Sequence, residues 1–392
     1  MRHYLLLFTI LLTNVAFSQN PNLGIAYNHF AFDLYKKISI EDKNTFISSI
    51  GVYLMLMTLN EGADSITRAD FKSKYNIEEG DVLRFITPLK YKPWLSESDF
   101  ENNLKTSNSI WVHKDISLND SYKNSIKVKF NSTLETIDFN DKFNSVNKIN
   151  DWVSINTNNT IKKIISEEDI RNNTAFILLN TVYYNGSWAK CFDKDSTREA
   201  TFYSSKEREF KMNFMNREGL FDYFENSDFQ YISLPYKGGG VSFAIISPKT
   251  RNGITLLEDK INAKLLLEVF RKSELSNVEL SIPKFSFESE YQIKQPLINL
   301  GYKNIMSSEF GLVNITKDFP VDINNIKHKT FVEIDEYKTV ASAVTMSDLI
   351  GSVKSKIKNH KYIFIANHPF LFLIVDDCTN GILFMGKFVG ND

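Results

Sequence analysis

The sequence predicts one α+β domain built around a large sheet, and three observations carry that reading. Apolar residues recur at helical spacing in the first half of the chain. From Phe176 onward, apolar or alternating runs bounded by turn residues dominate. No internal repeat, low-complexity linker or break in composition divides the chain. Helical and strand patterns of this kind, with a large sheet, read as α+β.

The elements follow in order. Phe30, Ala31, Leu34 and Ile38 share one helical face, and so do Ile149, Trp152 and Val153. Residues 176–184 are almost unbroken in apolar character, as a strand buried on both faces requires. Residues 241–247 and 278–287 read as further strands, the second alternating. Residues 363–375 and 382–389 flank a turn at 376–381 and read as a hairpin, with Asn367-His368-Pro369 interrupting the first arm. Gly238-Gly239-Gly240 leads straight into a strand. It therefore reads as a tight hairpin turn, because a phosphate loop needs a helix start behind it.

The 392 residues are 43% hydrophobic, enough for a sizeable core. A net charge of −1 supplies no bulk attraction for nucleic acid or a membrane surface. At the N-terminus Arg2 and His3 precede an apolar run over residues 4–12, and Ala16-Phe17-Ser18 supplies small residues before Gln19. This pattern reads as a signal peptide over residues 1–18, leaving a single domain over 19–392. The run is shorter than the ~20 residues that span a bilayer, and no other window qualifies as a membrane span. Secretion, or export to the periplasm in a bacterium, follows. Two cysteines, Cys191 and Cys378, leave the fold to its core, and whether they pair is not legible.

Chemistry is mostly absent. The six histidines form no HExxH or other metal pair, and there is no GxSxG elbow or Walker loop. No metal, cofactor or enzymatic activity is expected. Sequons at Asn131, Asn172 and Asn314 arise by chance in an Asn-rich chain and matter only in a eukaryotic secretory pathway.

A set of segments in fixed order resembles one family. Lys329-Thr330-Phe331-Val332-Glu333-Ile334-Asp335-Glu336 looks like the strand that leads into a serpin's reactive loop. Asn367-His368-Pro369-Phe370-Leu371-Phe372 resembles the serpin signature after that loop, and Ile382-Leu383-Phe384-Met385-Gly386-Lys387 its final strand. Upstream, the run from Asn180 to Trp188 is similar to the third strand of the family's main sheet. Ile282-Pro283-Lys284-Phe285, Leu234-Pro235-Tyr236 and Ser107-Asn108-Ser109-Ile110 also match in order. The resemblance runs from about Phe30 to Val389. It implies three sheets, about nine helices, an exposed reactive-centre loop over about 337–358, and a metastable native state. It further implies a monomer that inhibits serine proteases, and by extension cysteine proteases, as a suicide substrate. The target protease cuts the loop and forms a covalent complex, and the loop then inserts into the main sheet.

The loop residues suit that role. From Thr339 one face reads Thr339, Ala341, Ala343, Thr345, Ser347, Leu349, all small or apolar. The other face holds the one charge, Asp348. No proline interrupts residues 339–350, so every N–H can join a ladder. At ~0.5–1.5 kcal/mol per backbone hydrogen bond, about ten new pairs give on the order of 10 kcal/mol, comparable to a domain's stability.

The resemblance places hinge residues at Glu336, Lys338, Thr339, Ala341 and Ala343, and structural clamps at Asn180, Trp188 and His328. Two departures stand out. Lys338 sits where the family usually has glycine, which puts hinge mobility in question. Gly51 falls within Ser48-Ser49-Ile50-Gly51-Val52, where the family usually has Ser-Pro-x-Ser-Ile, so a polar contact beneath the sheet is expected to be lost. The scissile bond falls after Ser352, before Val353, when counted forward from Glu336. Counting back from Phe370 places it nearer Lys354 or Lys356. The alternative to an inhibitor is a serpin-fold binding or chaperone protein without inhibitory action.

Overall fold

The structure is a computed structural model that describes residues 21–77, 80, 103–204, 208–306, 312–316, 318, 323, 326–337 and 361–390. In chain order the first half holds α1 (Pro21–Ile38), β1 (Thr45–Ile47), α2 (Ser49–Asn60), α3 (Ser65–Tyr75), β2 (Asn103–His113), α4 (Asp120–Phe130), β3 (Thr133–Ile137), α5 (Lys142–Asn156) and β4 (Phe176–Asn185). Next come β5 (Arg198–Tyr203), β6 (Glu209–Glu225), β7 (Phe229–Pro235), β8 (Val241–Pro248), α6 (Ile254–Lys260), α7 (Ala263–Lys272), β9 (Glu274–Pro283) and β10 (Phe285–Gln292). The chain closes with α8 (Lys294–Asn299), α9 (Lys303–Met306), β11 (Ile326–Ile334), β12 (Lys361–Ile365), β13 (Phe370–Asp376) and β14 (Gly381–Phe388). Nine α-helices are thus present among the described residues.

The strands form a five-stranded sheet, ordered β10-β11-β4-β2-β3, and a nine-stranded one, ordered β1-β14-β13-β8-β7-β6-β9-β12 with β5 on β6. The second and third of the three expected sheets are continuous here. The 17-residue β6 pairs with β5 and β9 and then, at residues 222–225, with residues 230–233 of β7.

The main core lies between the two sheets and around α2. No residue of α2 carries a charge, and a helix apolar on all sides belongs in an interior. Its residues from Ser49 to Leu59 are buried. Phe46 stacks on Phe384 and Phe372, with ring centroids 5.1 and 5.5 Å apart. A second core on the other face of the five-stranded sheet joins Trp111, Ile177 and Leu179 to Ile149 and Val153 of α5 and to Ile161, Ile164 and Ile165. Apolar residues on both faces of β4 are explained by these two cores.

The helices expected around residues 28–37 and 146–155 lie within α1 and α5. The Gly238–Gly240 run turns between β7 and β8 with φ of 81°, 68° and 79°, a left-handed course open to glycine. Two expectations are corrected. Residues 278–287 are not one strand: β9 ends at Pro283 in the nine-stranded sheet, and β10 starts at Phe285 in the other. Pro283 has no N–H to extend the ladder, and the chain changes sheet at Lys284. Likewise residues 363–375 are two strands. β12 pairs parallel with β9, and only β13 forms the hairpin with β14. Cys191 and Cys378 are both unbridged and exposed. No helix among the described residues is long and apolar enough to cross a membrane.

Candidate functional site

The centre of the five-stranded sheet holds a slot. β11 and β4 run parallel and pair from Ile326↔Leu178 to Lys329↔Thr181, where pairing stops. Above that level β11 continues to Ile334, paired to β10, and β4 continues to Asn185, paired to β2. Two strand edges therefore face one another inside a sheet without being paired to each other. Such edges present a row of backbone donors and acceptors.

Polar side chains close the slot at its foot. Asn108, Asn180 and His328 are register partners across β2, β4 and β11 and form a row. The Asn180 amide Nδ2 donates to Asn108 Oδ1 at 2.6 Å. The Ser48 backbone N–H donates to His328 Nε2 at 3.1 Å, which leaves Nδ1 to carry the proton and donate to Asn180 Oδ1 at 2.9 Å. His328 is fully buried, and burial pushes its imidazole down to about 3, so it is neutral at ordinary pH. Ser48 caps α2, its hydroxyl accepting from Gly51 N–H at 3.2 Å and donating to the Leu383 carbonyl at 3.1 Å. Thr330 donates to the Phe46 carbonyl at 2.6 Å, which ties the slot-side stretch of β11 to the chain beneath.

Gly51 has a specific place in this row. A Cβ there would lie 2.5 Å from Asn180 Oδ1 and 2.3 Å from Val182 Cγ2. The Asn180 amide occupies the space that a side chain at 51 would need.

The slot is closed again at its upper end. Trp188 Nε1 donates to the Asp335 carbonyl at 2.8 Å, and the Phe192 N–H donates to the Glu336 carbonyl at 3.0 Å. The indole stacks on Tyr236 with centroids 5.0 Å apart. The Glu336 side chain accepts from Lys284 Nζ at 2.6 Å and from the Thr197 hydroxyl at 2.8 Å. Burial pulls this carboxyl up, but Lys284 and Thr197 outweigh it and hold it below the usual carboxylate range. Lys284 reaches Glu336 because it sits at the corner between β9 and β10.

A strap crosses the outer face of the slot's foot. Lys327 Nζ binds the Ile164 carbonyl at 3.2 Å and Asp169 Oδ2 at 2.8 Å, and Lys329 Nζ binds the Lys163 carbonyl at 3.0 Å. These bonds clip residues 163–169 onto β11.

The structure thus brings Asn180 and His328 together and places Trp188 beside the chain at Asp335 and Glu336. Lys338, Thr339, Ala341, Ala343, Ser352, Val353, Lys354 and Lys356 lie outside the described residues. The sequence reading missed Asn108, Ser48, Thr197 and Lys284 as parts of the site. For Asn108 the available signal was its place in Ser107-Asn108-Ser109-Ile110, one of the segments that resemble the family in order. Among the described residues no cluster of metal-ligating side chains occurs. The polar groups of the slot are committed to holding strands: His328 is neutral and bonded to Asn180 and Ser48, and Glu336 is paired with Lys284. What the arrangement can do is accept an extended peptide between β4 and β11.

A family model described as serpin (serine protease inhibitor) matches residues 25–390. This chain belongs to the serpin family. A serpin-like protein of Methanosarcina acetivorans, itself uncharacterized, is 31% identical over 369 residues, covering 93% of this serpin and 85% of its relative. Antichymotrypsin-2 of Bombyx mori is 30% identical, covering 88% and 92%. Among solved structures, the native state of the thermophilic serpin tengpin superposes with a TM-score of 0.81 at 24% identity, covering 95% of each chain. Uncleaved ovalbumin gives 0.82 at 22%, covering 94% of this serpin and all of ovalbumin. These two similarities show the serpin fold, with its mixed α+β architecture.

Proposed function

We propose that this serpin is a secreted inhibitor of serine peptidases, and of cysteine peptidases by the same route, that works once per molecule. The observation that carries the reading is the unpaired stretch between β4 and β11, closed at each end by polar contacts. A strand entering there gains a hydrogen-bond partner on both sides, and residues 339–350 have the small, alternating, proline-free composition to be that strand. The peptidase cuts the loop after Ser352, or at Lys354 or Lys356. It is then carried off as a covalent acyl-enzyme while Thr339, Ala341 and Ala343 go under the sheet. Residues 1–18 are a signal peptide, residues 19–392 the single domain, and the protein acts as a monomer. The Bombyx mori relatives named antichymotrypsin-2 and antitrypsin support this reading.

Incubation with a panel of peptidases on denaturing gels tests it. An SDS-resistant complex is expected, and nicking should raise the melting temperature sharply. Cleavage without a complex, at an unchanged melting temperature, would leave a binding protein without inhibitory action. Lys338 in place of the usual hinge glycine favours that second reading. Thyroxine-binding globulin and ovalbumin share the fold.

A further inference from the structure

Twelve large apolar side chains are exposed among the described residues, and four of them gather on one face of the nine-stranded sheet. They are Leu220 on β6, Leu275 on β9, and Ile363 and Ile365 on β12, each between 43% and 57% exposed. Register explains the grouping. Leu220 is opposite Asn277, Leu275 is opposite Asp222, and Ile363 is opposite Glu279, itself opposite Glu218. Opposed residues share a sheet face. Phe221, Val278 and Phe364, on the other face, are buried, so the four apolar residues point outward. Exposed isoleucines on an edge strand are what folded proteins generally avoid, and a clustered apolar patch marks an interaction surface.

The patch is also acidic. Glu218, Asp222 and Glu279 lie on it with one cation, Lys361, which is held by Glu218 at 2.9 Å and Glu279 at 3.0 Å. A partner surface that is apolar and basic fits it.

The position of the patch in the chain points to the occupant. The chain leaves the described structure at Tyr337 and re-enters at Lys361, the first residue of β12. A peptidase whose cleft holds residues 352–357 is therefore within four to nine residues of β12, a tether of roughly 13–32 Å at full extension. A small domain is about 30 Å across, so the rim of a peptidase on that tether overlaps this face.

We infer that the outer face of β6, β9 and β12 is a docking surface for the target peptidase, one whose surface beside its cleft is apolar and basic. This rests on the inhibitor reading above. The loop determines which bond is cut. The patch determines how fast the right peptidase arrives and how long it stays, so bond preference alone does not specify the target.

The test compares wild type with Leu220→Ser, Ile363→Ser and their double variant against the peptidase that wild type inhibits fastest. The apparent second-order rate of complex formation should fall about tenfold in each single variant and further in the double. The number of serpin molecules consumed per peptidase should not change, and the loop of every variant should be cut at the same bond as in wild type. Asp222→Lys, which keeps the apolar residues, should slow association and flatten its salt dependence. It carries the test if the double variant fails to fold. Rates within twofold of wild type for all variants overturn the inference. So does a wild-type dimer on size-exclusion chromatography that becomes monomeric in the double variant, because the patch is then a self-contact. If wild type traps no peptidase, the inhibitor reading fails by itself. The same variants are then scored by kcat/KM for loop cleavage, where a tenfold fall supports the docking face and an unchanged value overturns it.

Discussion

His328 Nδ1 donates to Asn180 Oδ1 at 2.9 Å one register pair below the point where β11 and β4 part company. The bond satisfies two buried polar groups and also marks the foot of the slot. A strand entering between β4 and β11 cannot pass this level without breaking it.

Replacing His328 by alanine leaves the Ser48 N–H without its acceptor and Asn180 Oδ1 without its donor, both in a dry interior. Each orphaned group costs about 1–3 kcal/mol, and the vacated volume adds to that. The urea midpoint of His328→Ala should fall by the equivalent of roughly 2–5 kcal/mol. A midpoint equal to wild type would mean that the row across β2, β4 and β11 contributes nothing to stability.

Stability should decline with acid from pH 6.5 downward. An unfolded histidine titrates near 6.5, whereas burial holds His328 down to about 3. In that window the unfolded chain binds a proton that the folded chain does not. The contribution is therefore complete above pH 6.5 and is lost at about 1.4 kcal/mol per pH unit as pH falls. Burial also lowers His368, with the same sign. Glu336, held below the carboxylate range, loses its share only as pH falls below the usual carboxyl value. Between pH 6 and 5, His328→Gln should show a smaller slope of unfolding free energy against pH than wild type. Parallel curves would rule out His328 as a source.

Gly51→Ala forces a methyl group to within 2.3 Å of Val182 Cγ2 and 2.5 Å of Asn180 Oδ1. Overpacking of this kind costs about 1–3 kcal/mol. The variant should unfold at lower urea. Its amide exchange should rise in β4 before it rises in β13 and β14, because the wedge acts under the slot. Uniform exchange changes would place the strain elsewhere.

These contacts show what was and was not legible in the sequence. Residues 176–184 could be assigned to a central strand because burial on both faces leaves a continuous apolar run. The stretch 278–287 could not be divided, because alternation passes through Pro283-Lys284-Phe285 without a break. A period of two reports which face a residue occupies, not which sheet its strand joins. Asn108 sits between two serines and looks solvated until its register with Asn180 is known. Gly51 suggested a lost contact, but its effect depends on where the Asn180 amide goes, and only tertiary packing fixes that.

Lys284→Met should weaken the upper closure of the slot. About a third of the Lys284 side chain is exposed and the Glu336 side chain is nearly buried, so the partly solvated pair contributes roughly 1–2 kcal/mol. On the inhibitor reading, the uncleaved variant should lose inhibitory activity faster than wild type on prolonged incubation, through premature entry of its own loop. Equal decay rates would mean that Glu336 does not hold the loop out.

If the protein acts as proposed, Thr339→Arg should turn it from an inhibitor into a substrate. On the inhibitor reading Thr339 is the first residue to go under the sheet, where an unpaired buried charge costs several kcal/mol or keeps the strand out. The cut should stay where it is, since the proposed bond near Ser352 is far along the loop from Thr339. Lys338→Arg should be mild, because it keeps the charge and much the same length of side chain. The number of serpin molecules consumed per peptidase should rise steeply for Thr339→Arg alone. A wild-type ratio would refute the assignment of Thr339 to the inward face.

The indole of Trp188 gives the molecule its own optical reporter. Its N–H is bonded to the Asp335 carbonyl and its ring lies flat on Tyr236, so its emission depends on whether the upper end of the slot is shut. Trp111 and Trp152 meet edge-on at 6.3 Å where β2 faces α5, away from that end. Opening at the top should therefore perturb Trp188 while Trp111 and Trp152 stay constant, and displacement of α5 should do the reverse, with Trp94, the fourth tryptophan and outside the described residues, replaced by phenylalanine throughout. Time-resolved emission with Trp188→Phe as the blank can thus order the two events in a single reaction, without any attached dye.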